Sequence, residues 1–230
     1  MNVVVLLGAP GAGKGTQAPS LAIRLGIPVV ATGDLFRAAV RDGTPLGQEA
    51  RRYMDAGQLV PDEITIGLLL DRLGRPDATV GVILDGFPRT GVQAGALDGA
   101  LAEREARVGA AVLVDVPFDE LVRRMSGRWV CRSAGHPYHE TSSPPRVEGV
   151  CDLDGSELYQ RVDDHPDTIR TRMDQQLGAL AEVIEHYRSA GVLHTVDGLQ
   201  EIDQVAEAID RALAEADIRP AGSPAEPVAG

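Results

Sequence analysis

Gly8-Ala9-Pro10-Gly11-Ala12-Gly13-Lys14-Gly15-Thr16 follows directly on Asn2–Leu7 (NVVVLL), and the two stretches together decide the fold. The run before Gly8 is continuously apolar and β-branched, the pattern of a strand buried on both faces of a parallel sheet. After the glycines, Lys14–Leu25 carries its apolar residues at helical spacing and stops at Gly26. Strand, glycine-rich loop and helix in this order make a phosphate-binding loop. The glycines let the backbone curl until its N–H groups point inward, and the helix start adds partial positive charge. Lys14 adds a full charge, and the Thr16 hydroxyl is placed to meet Mg²⁺ or a phosphate. The general motif has Ser or Thr directly after the lysine, whereas Gly15 intervenes here. Pro19 falls inside the helix, where it removes a backbone donor, and the sequence offers no reason for it. Taken alone, the loop points to a nucleoside triphosphate and no further.

Outward from this unit, Pro28–Ala31, Val80–Leu84 (VGVIL), Ala111–Val116 (AVLVDV) and Val192–Val196 (VLHTV) read as four more strands. Helical patterns lie between them, near 34–40 and 46–56, from Pro61-Asp62-Glu63 onward, and over 91–105, 118–126, 166–189 and 201–216. Thr32 or Asp34 is placed to cap the first of these. Strands alternating with helices form βαβ units, so the expected class is α/β, with a five-stranded parallel sheet between two helical layers. Residues 128–162 break the rhythm with Gly, Pro, Ser and His and read as a small inserted subdomain. The tail from Arg219 (RPAGSPAEPVAG) has the composition of disorder.

The 230 residues are 43% hydrophobic, enough to bury a large core. The longest apolar runs, such as Val3–Leu7, fall far short of the ~20 residues a membrane span needs. The N-terminus enters the strand at once, without a basic region or cleavage site, so the expected location is the cytoplasm. The net charge of −12 argues against nucleic acid or an anionic membrane as a partner. A polyanionic ligand would then need locally clustered cations. Of the 22 basic residues Lys14 is the only lysine, and it stands in the glycine-rich loop. The two cysteines are too few for a disulfide framework.

Further segments sharpen the reading. Ala31-Thr32-Gly33-Asp34-Leu35-Phe36-Arg37, Asp55-Ala56-Gly57-Gln58-Leu59-Val60-Pro61-Asp62-Glu63 and Leu84-Asp85-Gly86-Phe87-Pro88-Arg89-Thr90, with Gln93 just after, occur in that order. Gly127-Arg128, Tyr138-His139 and Glu157-Leu158-Tyr159-Gln160-Arg161-Val162-Asp163-Asp164 follow. Together with GAPGAGKGTQ these segments resemble the nucleoside monophosphate kinases, and within them the long-lid, bacterial-type adenylate kinases, over about residues 1–215. The resemblance implies reversible, magnesium-dependent transfer of a phosphoryl group from ATP to AMP, giving two ADP. It implies one kinase domain over 1–218, with a core of 1–31, 61–126 and 165–218. An AMP-binding insertion at 32–60 and a lid at 127–164 complete it, with a disordered tail at 219–230.

The residue chemistry agrees. Two nucleotides gather many negative charges around one transferring group, so catalysis is mostly positioning and electrostatic stabilisation. Convergent arginines suit this, because their planar forks grip phosphate oxygens. By resemblance, Arg37 and Arg89 hold the AMP phosphate, and Lys14, Arg128, Arg161 and Arg172 surround the transferring group; Arg161 and Arg172 also reach AMP. Gly11, Ala12, Gly13, Lys14, Gly15 and Thr16 cradle the ATP phosphates. Arg124, Pro137, Tyr138 and Gln200 flank the donor base. Thr32, Gln58, Leu59, Val60, Gly86, Phe87, Pro88 and Gln93 line the AMP site. Asp85, at the carboxyl end of its strand, holds Mg²⁺ through water alongside Thr16. No general base or covalent nucleophile stands out. A UMP, CMP or GTP-using relative remains open, as does a nucleotide-binding module without turnover; a nucleic-acid-dependent NTPase conflicts with the charge. A monomer is expected, since two moving lobes leave little surface for an interface.

Some relatives bind structural Zn²⁺ in the lid through C-x-x-C and a later C-x-x-C or C-x-x-D pair. Cys131, Cys151 and Asp154 match three of those ligands, and Ala134 stands at the fourth position. Tetrahedral zinc needs four ligands, so His136 or water would have to substitute. The reading preferred from sequence is a metal-free lid held by packing and hydrogen bonds.

Overall fold

Along the first strand the side chains alternate between two cores. Val4 and Leu6 join one buried cluster, and Val3, Val5 and Leu7 join the other. A strand with no polar face has to lie mid-sheet with a helical layer on each side. The computed structural model, which describes residues 1–164 and 166–220, places it there. The elements are β1 (Asn2–Leu7), α1 (Lys14–Leu25), β2 (Val29–Ala31), α2 (Thr32–Arg41), α3 (Pro45–Asp55), α4 (Asp62–Leu73), β3 (Gly81–Asp85) and α5 (Gly91–Ala102). They continue as β4 (Val108–Asp115), α6 (Phe118–Ser126), β5 (Arg128–Cys131), β6 (Pro137–His139), β7 (Leu158–Tyr159), α7 (Pro166–Ser189), β8 (Leu193–Asp197) and α8 (Ile202–Glu215).

The main sheet runs β2-β3-β1-β4-β8 and every pairing in it is parallel. One face packs on α1, α6 and α8, with Leu21, Met125 and Ile209 in the core. The other packs on α4, α5 and α7, with Leu69, Leu97 and Val183. The expected five-stranded, three-layer α/β fold is therefore observed. α1 runs unbroken through Pro19, which sits on its exposed side while Gln17, Ala18 and Leu21 face inward. α2 starts at Thr32 itself, and no side chain caps it. Thr32 Oγ1 instead donates to Gly86 O at 2.8 Å, tying the helix start to the turn after β3.

Two outgrowths leave this core. α2 and α3 pack together around Phe36, Ala50 and Val60. Residues 128–159 form a three-stranded antiparallel sheet, β6-β5-β7, over a small core of Cys131, Tyr138, Cys151 and Leu158. These strands were not evident in the sequence. Residues 221–230, most of the expected disordered tail, lie outside the described residues. No described helix is long and apolar enough to cross a membrane.

Candidate functional site

The glycine-rich loop lies beyond the carboxyl end of β1, where parallel sheets place ligands. Its path depends on glycine at Gly11, whose φ is +87° and whose added Cβ would come within 2.9 Å of Leu121 O. Lys14 Nζ donates to Gly8 O at 2.7 Å and to Ala9 O at 3.1 Å, curling the side chain over the loop. Asp85 ends β3 beside it; a Cβ on Gly15 would sit 3.6 Å from Asp85 Oδ2. Burial pushes the Lys14 ammonium down to about 8, with Arg89, Arg172 and Arg128 pushing the same way against Asp85.

The arginines converge from separate elements. Arg89 Nε donates to Gly86 O at 2.8 Å and its Nη1 to Gln176 Oε1 on α7 at 3.0 Å. Arg172, one turn before Gln176, donates to Asp163 O at 2.9 Å and to Asp164 Oδ1 at 3.1 Å. Arg128, at the start of β5, grips both oxygens of the fully buried Asp164 carboxylate, with Nε at 2.7 Å from Oδ2. Arg161 faces the α2 lobe with Nη2 4.0 Å from Asp34 Oδ1, while its buried Nε meets no partner among the described residues. Burial lowers Arg89 and Arg161 to about 10, and neighbouring guanidinium groups add to it. Burial would raise the Asp163 carboxyl, but Arg172 and Arg128 outweigh it and hold it low. In a chain of net charge −12, cations crowded this closely are stabilised by a polyanion among them.

Two adjoining cavities open onto this cluster. The larger, about 540 Å³, is lined by Gly11 through Thr16, Asp85, Arg124, Arg128, Pro137, Tyr138, Arg161 and Gln200. The smaller, about 70 Å³, is lined by Thr32, Gln58, Leu59, Val60 and Gln93. Gly33, Arg37, Gly86, Arg89, Arg172 and Gln176 border both. The site residues expected from sequence are thus brought together, with one exception: the Phe87 side chain points away into the core, packed with Leu84 and Leu97. Pro88 lines the larger cavity rather than the smaller. Arg124, which lines the larger cavity, donates to Glu120 Oε1 at 2.7 Å and Gly198 O at 2.9 Å. Gly57 lets the 53–60 turn close on α7, since its φ is +70° and an added Cβ would lie 2.8 Å from Arg172 Cγ.

Sequence reasoning missed two roles. Gln93 Nε2 donates to Asp62 Oδ1 at 2.7 Å, Thr90 Oγ1 donates to Asp62 Oδ2 at 3.0 Å, and Arg89 N donates to Gln93 Oε1 at 2.8 Å. Asp62 therefore fixes which way the buried Gln93 amide faces. Gln176 was missed too, although its i+4 spacing from Arg172 on α7 was a readable signal. In the 128–159 outgrowth, Cys131, His136, Cys151 and Asp154 each offer a donor atom, all within 4.8 Å of one another.

Fold and site together define a P-loop protein of the nucleotide-binding class, with two ligand cavities meeting at a ring of arginines. The adenylate kinase sequence family matches residues 6–192. The adenylate kinase of Staphylococcus epidermidis is 45% identical over 205 residues, covering 89% of this chain and 95% of that protein. That of Staphylococcus aureus (strain Mu50) is 44% identical over 207 residues, covering 90% and 96%. The chain belongs to the adenylate kinase family, and as such is a phosphotransferase.

Proposed function

We propose that this protein catalyses ATP + AMP ⇌ 2 ADP by direct in-line transfer, with ATP in the larger cavity and AMP in the smaller. The observation that carries this is the shared border: a phosphoryl group passing from one cavity to the other must cross Arg89, Arg172 and Arg37. AMP supplies the attacking phosphate oxygen, so no side chain has to act as nucleophile. Arg37 and Arg89 would hold that phosphate, Thr32 and Gln93 would meet the adenine, and Gln58, Leu59 and Val60 would line its pocket. The loop amides, Lys14 and Thr16 would hold the ATP phosphates.

Arg128, Arg161 and Arg172 would then stabilise charge on the group in flight, where such preorganised donors contribute most. Mg²⁺ arriving with ATP would neutralise phosphate charge; the Thr16 hydroxyl and the Asp85 carboxylate have the hard oxygen donors it prefers. The 32–60 and 127–164 segments would move as two lobes, and closing them would exclude water from the transferring group. A cytoplasmic monomer acting in adenine nucleotide homeostasis is the setting we infer.

The test is an ADP-forming assay with ATP and Mg²⁺ in which AMP, UMP, CMP, GMP and no acceptor are compared, then repeated with GTP as donor. The reading requires ADP formation that depends on AMP and is weak with the other acceptors. ADP release indifferent to acceptor would overturn it, and a preference for UMP or CMP would move the protein to a sister activity.

A further inference from the structure

Arg89 differs from its neighbours in what holds it. Arg37 pairs with Asp34, Arg161 faces the same carboxylate, and Arg128 and Arg172 share Asp164. Arg89 has no carboxylate within ion-pair distance among the described residues. Its side chain donates instead to two neutral oxygens, Gly86 O through Nε at 2.8 Å and Gln176 Oε1 through Nη1 at 3.0 Å. Burial, and then Arg172, push the Arg89 guanidinium down to about 10, so it keeps its charge at neutral pH. A phosphate is the partner that such a fork lacks.

Gln176 enters this arrangement from α7. It follows Arg172 at i+4, on the same helix face, and it is 9% exposed where it borders both cavities. A guanidinium has donors only, so the amide atom that meets Arg89 must be the oxygen, and Nε2 is turned the other way. Nε2 meets no partner among the described residues and is not sealed from solvent. The space it can donate into is the junction of the two cavities. The Arg89 fork has Nε and one Nη1 proton committed, which leaves Nη2 and the second Nη1 proton for a ligand. Gly86 makes room for that fork: its φ is +74°, and a Cβ there would lie 2.8 Å from Arg89 Nη2.

We propose that Gln176 completes the acceptor-phosphate site: Oε1 sets the Arg89 fork without cancelling its charge, and Nε2 donates directly to the same phosphate. The assignment rests on the reading of the smaller cavity as the AMP site. The need for an amide follows from the charges. A glutamate at 176 has the same shape and would grip Arg89 more tightly, but its carboxylate would neutralise the fork and repel the incoming phosphate. An aliphatic residue would leave the fork loose and remove a donor. The amide holds the cation, offers N–H groups and brings no charge of its own. It also ties the turn after β3 to α7, which keeps the two phosphate donors in a fixed relation.

The test reads binding rather than turnover. AMP alone, and ATP with Mg²⁺ alone, would be titrated by calorimetry into the wild-type protein, Gln176→Ala and Gln176→Glu, with thermal unfolding of each recorded. Gln176→Ala should weaken AMP binding ~10-fold or more, the loss of a hydrogen bond to a charged group. Gln176→Glu should weaken it further, by ~100-fold or more, because a like charge meets the phosphate. ATP affinity should hold in both variants, and Gln176→Glu should unfold no earlier than the wild type, since its carboxylate pairs with Arg89. A purely structural role predicts the reverse order, with alanine the more damaging change and AMP affinity falling in step with stability. That order, a Gln176→Glu protein that binds AMP as the wild type does, or an equal loss of ATP affinity would overturn the role of Gln176 and leave the AMP site standing. Wild-type protein that does not bind AMP would overturn the AMP site itself, and the part of Gln176 with it.

Discussion

Gln93 is 1% exposed, and its amide has both ends committed to the protein: Oε1 to the Arg89 N–H and Nε2 to Asp62. An amide presents a donor on one side and an acceptor on the other. A base edge with the complementary order is accepted and the reverse order is refused. If Gln93 meets adenine, Asp62 is the residue that positions it. Removing a partner from a buried polar group costs about 1–3 kcal/mol. We therefore expect Asp62→Ala to raise KM for AMP roughly tenfold, while KM for ATP holds; steady-state kinetics with each substrate varied would show it. An unchanged KM for AMP would remove Asp62 from the account. The glycine loop could be picked out in the sequence from its own chemistry, and the Arg37 and Arg89 segments from their resemblance to a known family. The Asp62–Gln93 contact could not, because it joins positions 31 residues apart and only the packing of α4 beside α5 brings them together.

At the scale of elements, the eight α-helices and the five main-sheet strands among the described residues follow the expected segments closely. α1, α6 and α7 match in full, and β1 runs over the predicted residues. The helices are long enough for a period of 3.6 to show, and the strands of the main sheet stand out as apolar, β-branched runs. The strands of the 128–159 outgrowth are short and carry no apolar run: β6 is Pro137-Tyr138-His139 and β7 Leu158-Tyr159. They exist because β5 pairs with both and their side chains meet over one small cluster. The three-stranded outgrowth is joined to α7 by Asp164, which accepts from Arg128 on β5 and from Arg172 on α7. Breaking a buried ion pair by removing one partner costs about 3–5 kcal/mol. With that anion gone, the two guanidinium groups lose their common anchor. Asp164→Asn should therefore lower kcat by ~100-fold or more, an effect that only part of that energy needs to reach the transition state to produce. A turnover number near that of the wild type would mean that the clamp is structural alone.

The whole molecule sets a strong contrast between its net charge of −12 and the cations gathered at the meeting point of two cavities. That arrangement disfavours nucleic acid on the outer surface and favours a small polyanion within. Composition gave the first half of this inference and the fold the second, since the arginines come from α2, the turn after β3, β5, the segment before α7 and α7 itself. The central claim is that the γ-phosphoryl group of ATP goes to AMP directly, with neither water nor the protein receiving it. The most direct measurement is the fate of a radioactive γ-phosphate during initial turnover with AMP present. The account predicts that the label is recovered in the β-phosphate of ADP made from AMP, with none above background as inorganic phosphate or bound to protein. Label released as inorganic phosphate at a rate independent of AMP, or retained on the chain, would contradict it.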